Sequence, residues 1–360
     1  MIPWPAFVTL IRMRLGILVS IAAAAAAAAA ALAGASCGGG SGGTGGSGTP
    51  RPTSSQSSGG PGTLLVTRAA GIGAYDLTTG HGGLLFKPPE QGDLLADPAV
   101  SPNGSQIAYV SLAPPERNFD AGSDLWVANR DGSEARMVYK HDTPNQQVRL
   151  PRWSDDAHVL SIVQEPAVKN GFSTFVFTLE RIAMADGKRD NLAEDVIAFD
   201  LSPDRTHGVY AQLSETTGET LATGDASGGN LTTIVGLDQN LQPFNSPRYS
   251  PDGSKVAFAS ADQTGATADQ RYVSAGPIDA PPRAPALDGL PEDIWVVDTN
   301  GGKAQRVAVL KEDLPTVAWS GDGKHIYALG ANATYDVDLV NGNTTKIGDG
   351  SFHAQIAWAP

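Results

Sequence analysis

An aromatic or apolar residue, then Ser, then a turn built from Pro, Asp, Asn or Gly, then an apolar strand: this unit recurs five times along the chain. The copies are Val100-Ser101-Pro102-Asn103-Gly104, Trp153-Ser154-Asp155-Asp156, Leu201-Ser202-Pro203-Asp204, Tyr249-Ser250-Pro251-Asp252-Gly253 and Trp319-Ser320-Gly321-Asp322-Gly323. A sixth begins at Trp358-Ala359-Pro360. An internal repeat constrains the fold strongly, because each unit can bury its apolar face only against the next copy.

The residue types suit a tight turn between antiparallel strands. Ser and Asp bond nearby backbone N–H groups, Pro presets φ, and Gly takes the left-handed position. The following segments, such as Ile107-Ala108-Tyr109-Val110 and Val256-Ala257-Phe258-Ala259, are short continuous apolar runs, as expected of strands buried on both faces. A second turn series alternates with the first: Thr79-Gly80, Asp131-Gly132, Asp186-Gly187, Ser227-Gly228, Asn300-Gly301 and Asn341-Gly342. Asp-Gly and Asn-Gly are strong hairpin signals. Two turns per unit give four strands, and six units predict an all-β, six-bladed β-propeller with four-stranded antiparallel blades. The ring is expected to close by sharing the last blade between the chain ends. One strand over Gln355–Trp358 would join three near Thr63–Thr67, Ile72–Leu77 and Gly83–Phe86, leaving no free sheet edge.

The Ser-Pro-Asp-Gly turns and Asp/Asn-Gly hairpins resemble the WD-like repeats of TolB-like propellers over essentially Thr63–Pro360. The resemblance implies the propeller fold.

Upstream of the repeats the composition changes. Arg12 and Arg14 precede an uncharged apolar run, Leu15–Leu32, and then Gly34-Ala35-Ser36 and Cys37. This order of basic, apolar and small residues predicts a signal peptide over residues 1–36. A cysteine directly after the small residues is similar to a bacterial lipobox, which implies a lipidated Cys37; an uncleaved transmembrane anchor is the alternative. Residues 37–62 carry the cysteine and a Gly/Ser-rich tether with too few apolar groups to offset ordering entropy, and 63–360 form the propeller. Either anchor leaves the propeller extracytoplasmic, on the cell-surface or periplasmic side. The net charge is −13, and export would remove two arginines and no acid. An acidic surface without a Lys/Arg cluster disfavours nucleic acid. With one cysteine in the chain, disulfide scaffolds and cysteine-based zinc sites are excluded.

No catalytic constellation emerges. Gly34-Ala35-Ser36-Cys37-Gly38 matches a nucleophile elbow only in form, since it lies in the export segment. Asp336-Val337-Asp338-Leu339-Val340-Asn341-Gly342 approaches a calcium loop but has its Asn-Gly one place too late. The histidines show no metal-ligand spacing, so neither metal nor cofactor is expected. Trp126, Trp153, Trp295, Trp319 and Trp358 fall at repeat-equivalent places and predict packing between blades. In a four-stranded blade the first and third turns share one face, and here they are short. The second loops, on the other face, vary: Leu112–Ser123, Gln164–Ser173, Leu213–Glu219 and Ala261–Glu292. Long variable loops gathered on one face mark a binding surface. Asp120, Arg271, Tyr272 and Arg283 are the candidate contact residues. The expected function is a non-catalytic, monomeric, membrane-anchored module that binds an envelope protein or peptide. The alternative is a glycan-active enzyme using carboxylates at the central channel.

Overall fold

The computed structural model describes residues 62–68, 70–77, 79, 81–88, 93–112, 122–169, 172–214, 218–264, 291–350 and 356–359. They form six four-stranded antiparallel blades, of which blades 2 and 3 join into one eight-stranded sheet through the parallel pair Ser123–Gln147. Blade 1 combines Ile356–Ala359 with Thr63–Arg68, Gly71–Asp76 and His81–Phe86. Blades 2 to 6 follow in chain order. Their innermost strands are Leu94–Val100, Gln147–Trp153, Val196–Leu201, Asn245–Tyr249 and Thr316–Trp319. Each innermost strand touches the next, and Ile356–Ala359 touches both Thr316–Trp319 and Leu94–Val100, so the contacts run fully round an axis. Among the described residues no helix is long and apolar enough to cross a membrane.

The ends close the ring with the expected one-plus-three split. Thr63 pairs with Ala359 and Val66 with Ile356, while Thr63 and Arg68 pair outward with Asp76 and Gly71. Trp358 stacks on Tyr327 of blade 6, with centroids 6.2 Å apart and rings 3° from parallel. A Cβ at Gly62 would lie 2.3 Å from the Trp358 ring. The chain therefore enters the propeller through a gap that only glycine leaves open, beside the first-turn residue Gly321 of blade 6.

The recurrent turn is a small hydrogen-bonded circuit. In blade 4, Ser202 Oγ donates to Asp204 Oδ1 (2.6 Å) and accepts from His207 N–H (3.0 Å). Asp204 also accepts from Thr206 N–H and Oγ1. Ser250–Asp252–Ser254–Lys255 and Ser320–Asp322–Lys324–His325 repeat it. Gly253 and Gly323 take φ of +72° and +69°, and Arg205 takes +59° at the same place in blade 4. That conformation disfavours a side chain, and Arg205 offsets the strain by donating to Trp153 O of the neighbouring blade (3.1 Å). The calcium-like stretch is a hairpin: Asp338 Oδ1 accepts from Val340 and Asn341 N–H, and Gly342 has φ of +71°.

Apolar clusters lie between blades. One joins Ile162 and Leu179 of blade 3 to Phe199 and Tyr210 of blade 4 and Phe258 of blade 5. Each such side chain, buried completely, contributes about 1.5–3 kcal/mol. The tryptophan expectation holds for Trp153 and Trp319, whose indoles donate across blade boundaries to Ala99 O and Arg248 O, both at 3.0 Å. Trp295 bonds Ser260 O within its own blade but packs in the apolar cluster that spans blades 3 to 5. Trp126 packs against the cluster joining blades 1 and 2, and Trp358 stacks on Tyr327 of blade 6, so these bear the expectation out as well.

The segment Gln164–Ser173, expected as a loop, continues the ladder. Glu165, Pro166 and Ala167 pair with Val176, Phe175 and Thr174, and Lys169 pairs with Phe172. β-branched and aromatic residues on both arms favour pairing, and Asn-Gly is itself a hairpin signal. Blade 3 thus projects a hairpin on which Val168 and Val176 are exposed.

Two outcomes test this account. Deleting residues 356–360 exposes the unpaired edge of Thr63–Arg68. The cooperative melt should be lost and self-association should appear by size-exclusion chromatography; a monomer with an unchanged Tm would contradict the closure. Ser202 and Thr206 hold the Asp204 carboxyl down at about 2, so its contribution is full above the unfolded carboxylate range and is lost as pH falls through about 2. In an NMR titration, Ser202→Ala should move the Asp204 midpoint up towards the ordinary Asp value.

Candidate binding site in the central channel

Aligned on the first turn, the residue two places before the turn Ser (or its equivalent Ala359 in blade 1) forms one ring round the axis. From blade 1 to blade 6 it reads Ala357, Ala99, Arg152, Asp200, Arg248, Ala318. Half of the ring is charged and half is alanine. Three of the inner strands share a bulge: Asp97, Leu150 and Ser246 take φ of +52°, +52° and +47°, each followed by Pro, and pairing shifts between Ala96/Ala99, Arg149/Arg152 and Asn245/Arg248. Proline is tolerated because these are edge strands whose N–H side faces the channel. At Leu150 and Ser246 the bulge leaves a carbonyl free, and each arginine covers its own: Arg152 Nη1 donates to Pro151 O (2.7 Å) and Arg248 Nη1 to Pro247 O (2.8 Å).

Asp200 balances the first arginine. Its Oδ1 accepts from Arg152 Nε (2.8 Å) and its Oδ2 from Tyr249 N–H (3.0 Å). Asp97, on the blade 2 strand and 5% exposed, uses Oδ2 to accept from Leu150 N–H (2.9 Å). Ser246 Oγ accepts from Val317 N–H (3.0 Å) in the same way. Blades 2–3, 4–5 and 5–6 are thus tied by a side-chain oxygen of one inner strand taking the backbone N–H of the next. Such buried bonds substitute for the partner an edge strand lacks.

Three polar groups remain open. Arg152 Nη2 and Asp97 Oδ1 are buried without a hydrogen-bond partner. Arg248 makes no ion pair among the described residues. Burial first, and the Arg152 charge second, push its guanidinium down to about 9, against the pull of Asp200 and Asp97. In a ring of six, blades 2 and 5 are opposite, so Asp97 and Arg248 act on each other across the axis.

The loop-bearing face is anchored by buried carboxylates at the loop bases. Glu292 Oε1 accepts from Asn245 Nδ2 (2.6 Å), Glu219 Oε2 from Phe244 N–H (3.1 Å), and Glu312 from Asn332 and Tyr335. At the blade 2–3 boundary Arg189 reaches Asp142 (3.0 Å), Glu180 (3.4 Å) and Glu165 (3.7 Å) and lies over the Tyr139 ring. Burial raises the Glu180 carboxyl. Among the described residues no group of acids, His or Cys is arranged to hold a metal.

The residues singled out from the sequence, Cys37, Asp120, Arg271, Tyr272 and Arg283, all lie outside the described residues, as do most of the Leu112–Ser123 and Ala261–Glu292 loops. Sequence reading missed the channel ring. The signal was present, since aligning the repeats on their Ser places two arginines and an aspartate where the other copies have alanine.

No family model matches the chain, and no curated sequence matches it. Solved structures do. TolB from Acinetobacter baumannii superposes with a TM-score of 0.55 at 14% identity, covering 83% of this chain and 67% of that one. A putative TolB from Agrobacterium tumefaciens superposes with a TM-score of 0.50 at 14% identity, covering 83% and 99%. At such identity the likeness speaks of fold alone. With the six blades and the shared closing blade, it shows that this chain has the TolB-like β-propeller fold.

Proposed function

We propose that the protein is a membrane-anchored, extracytoplasmic binding module that engages an envelope protein or peptide through its loop-rich face, without catalysing a reaction. The observation that carries this reading is the asymmetry of the disc. Short, self-bonded turns occupy one face, where the chain enters at Gly62. The longer connections and the blade 3 hairpin occupy the other, on bases pinned by Glu219, Glu292 and Glu312. A tether attached at the turn face leaves the opposite face pointing away from the membrane. Rigid bases that carry variable loops are the usual arrangement for recognition. The TolB-like propeller fold is in keeping with a binding module.

Anchoring through Cys37 is tested by fractionation. The wild-type chain should sediment with membranes and carry the mass of a lipid modification, whereas Cys37→Ser should be recovered in the soluble fraction. Retention of the variant on membranes would instead favour an uncleaved anchor. The binding face is tested by affinity capture with the propeller and with a variant in which a short Gly-Ser linker replaces residues 265–290, keeping Glu292 and its bond to Asn245. Partner recovery should fall about tenfold or more if this loop carries hot-spot contacts; equal recovery would reject the loop as the contact surface.

A further inference from the structure

One place on the third strand of a blade faces the preceding blade, and in three blades an aromatic ring fills it. Register fixes the place. Leu64, Ile107, Val256 and Ile326 pair with the residue before the turn Ser or its equivalent Ala359. Two residues further on stand Val66, Tyr109, Phe258 and Ala328, and the partners of the last three are Trp126, Trp295 and Tyr335. Trp126 packs in the cluster shared with blade 1, Trp295 in the one shared with blade 4 and Tyr335 in the one shared with blade 5. In blade 1 the partner of Val66 is Gly73. Where those blades send a ring, blade 1 sends nothing, and a cavity of about 340 Å³ opens between blades 1 and 6. Its lining is mostly apolar. Leu64 and Val66 are buried, Tyr75 and Ile347 half-buried, and Leu84, the outer neighbour of Gly73, is 48% exposed, so the slot is open to solvent.

The guest that fits follows from shape and charge. Small-molecule sites begin at about 300 Å³, and apolar cavities accept apolar rings. The missing group is itself a ring in the equivalent slots, and Tyr75 offers a guest ring an aromatic partner. Arg68 also lines the slot, on the same side of its strand as Leu64 and Val66 by strand alternation. Its side chain is exposed and makes no hydrogen bond or ion pair among the described residues. Thr334 of blade 6 is already committed, donating through Oγ1 to Asp349 O (2.8 Å). An apolar slot for a ring thus lies beside one open guanidinium. We propose that it binds a small aromatic carboxylate, the ring in the place that Gly73 leaves empty and the carboxylate on Arg68. A planar guanidinium suits bidentate capture of that group. The slot lies between blade walls, so it stands or falls apart from the loop-face proposal.

The test uses the full-length protein at fixed ionic strength, with calorimetry and chemical-shift titration. The probes are phenylacetate, 3-phenylpropionate and indole-3-acetate, with acetate, indole and tryptamine as controls that lack the ring, lack the charge or reverse it. At least one aryl acid should bind saturably, and acetate about tenfold or more weaker, since it buries no ring. Indole should bind about two- to fivefold weaker than indole-3-acetate, the range of an exposed ion pair, and tryptamine weaker still. Gly73→Trp gives blade 1 the side chain of blades 2 and 5; it should stay folded by thermal melt and lose binding about tenfold or more. Leu84→Glu changes an exposed residue and should weaken binding about fivefold or more, which keeps the test decisive if Gly73→Trp does not fold. Arg68→Gln should erase the preference for indole-3-acetate over indole, and deletion of residues 265–290 should change nothing. No saturable binding by any aryl acid would overturn the proposal. So would equal binding by acetate, equal binding of indole and indole-3-acetate to the wild type, or wild-type affinity in folded Gly73→Trp or Leu84→Glu.

Discussion

Four residue pairs between Thr63–Val66 and Ile356–Ala359 carry the closure on which the other contacts depend. A propeller blade is stable only when flanked on both sides, and its innermost strand always has one unpaired edge. If the ends did not share blade 1, Thr63–Arg68 would expose a second edge and blades 6 and 2 would each lose a flank. The Trp358–Tyr327 stack and the absence of a side chain at Gly62 let the two ends lie flush at this seam.

The channel follows from the same geometry. Inner strands crowded round an axis have no neighbour to receive their outer hydrogen bonds, so the chain supplies side-chain oxygens at Asp97, Asp200 and Ser246 to take the next blade's N–H. Prolines at the bulges remove donors that would otherwise be stranded. Polar residues recruited for this purpose bring charge into a narrow, low-dielectric space. Where the bookkeeping is complete, as at Asp200, the group is structural. At Arg248 and Asp97 it is incomplete, and the fold carries the cost of the mismatch.

Much of this was legible in the residues. The two turn series located the strands because Ser, Pro, Asp, Asn and Gly act through local backbone chemistry that needs no tertiary context. Gln164–Ser173 misled because Pro166 and Glu165 look like loop residues, yet pairing with Val176 and Phe175 outweighs their intrinsic preference. The channel ring was present only as an irregularity in an otherwise repetitive position. Arg152, Asp200 and Arg248 stand 48 residues apart from one to the next in sequence, and nothing local says that they meet.

The sequence by itself determined the repeat, the blade count, the shared closing blade and the face on which long connections gather, because each follows from turn chemistry and from the alternation of antiparallel strands. Only the tertiary structure decided which side chains face one another across the axis, and which of those remain unmatched. Burial and like-charge repulsion at Arg248 arise from strands that the ring alone brings together.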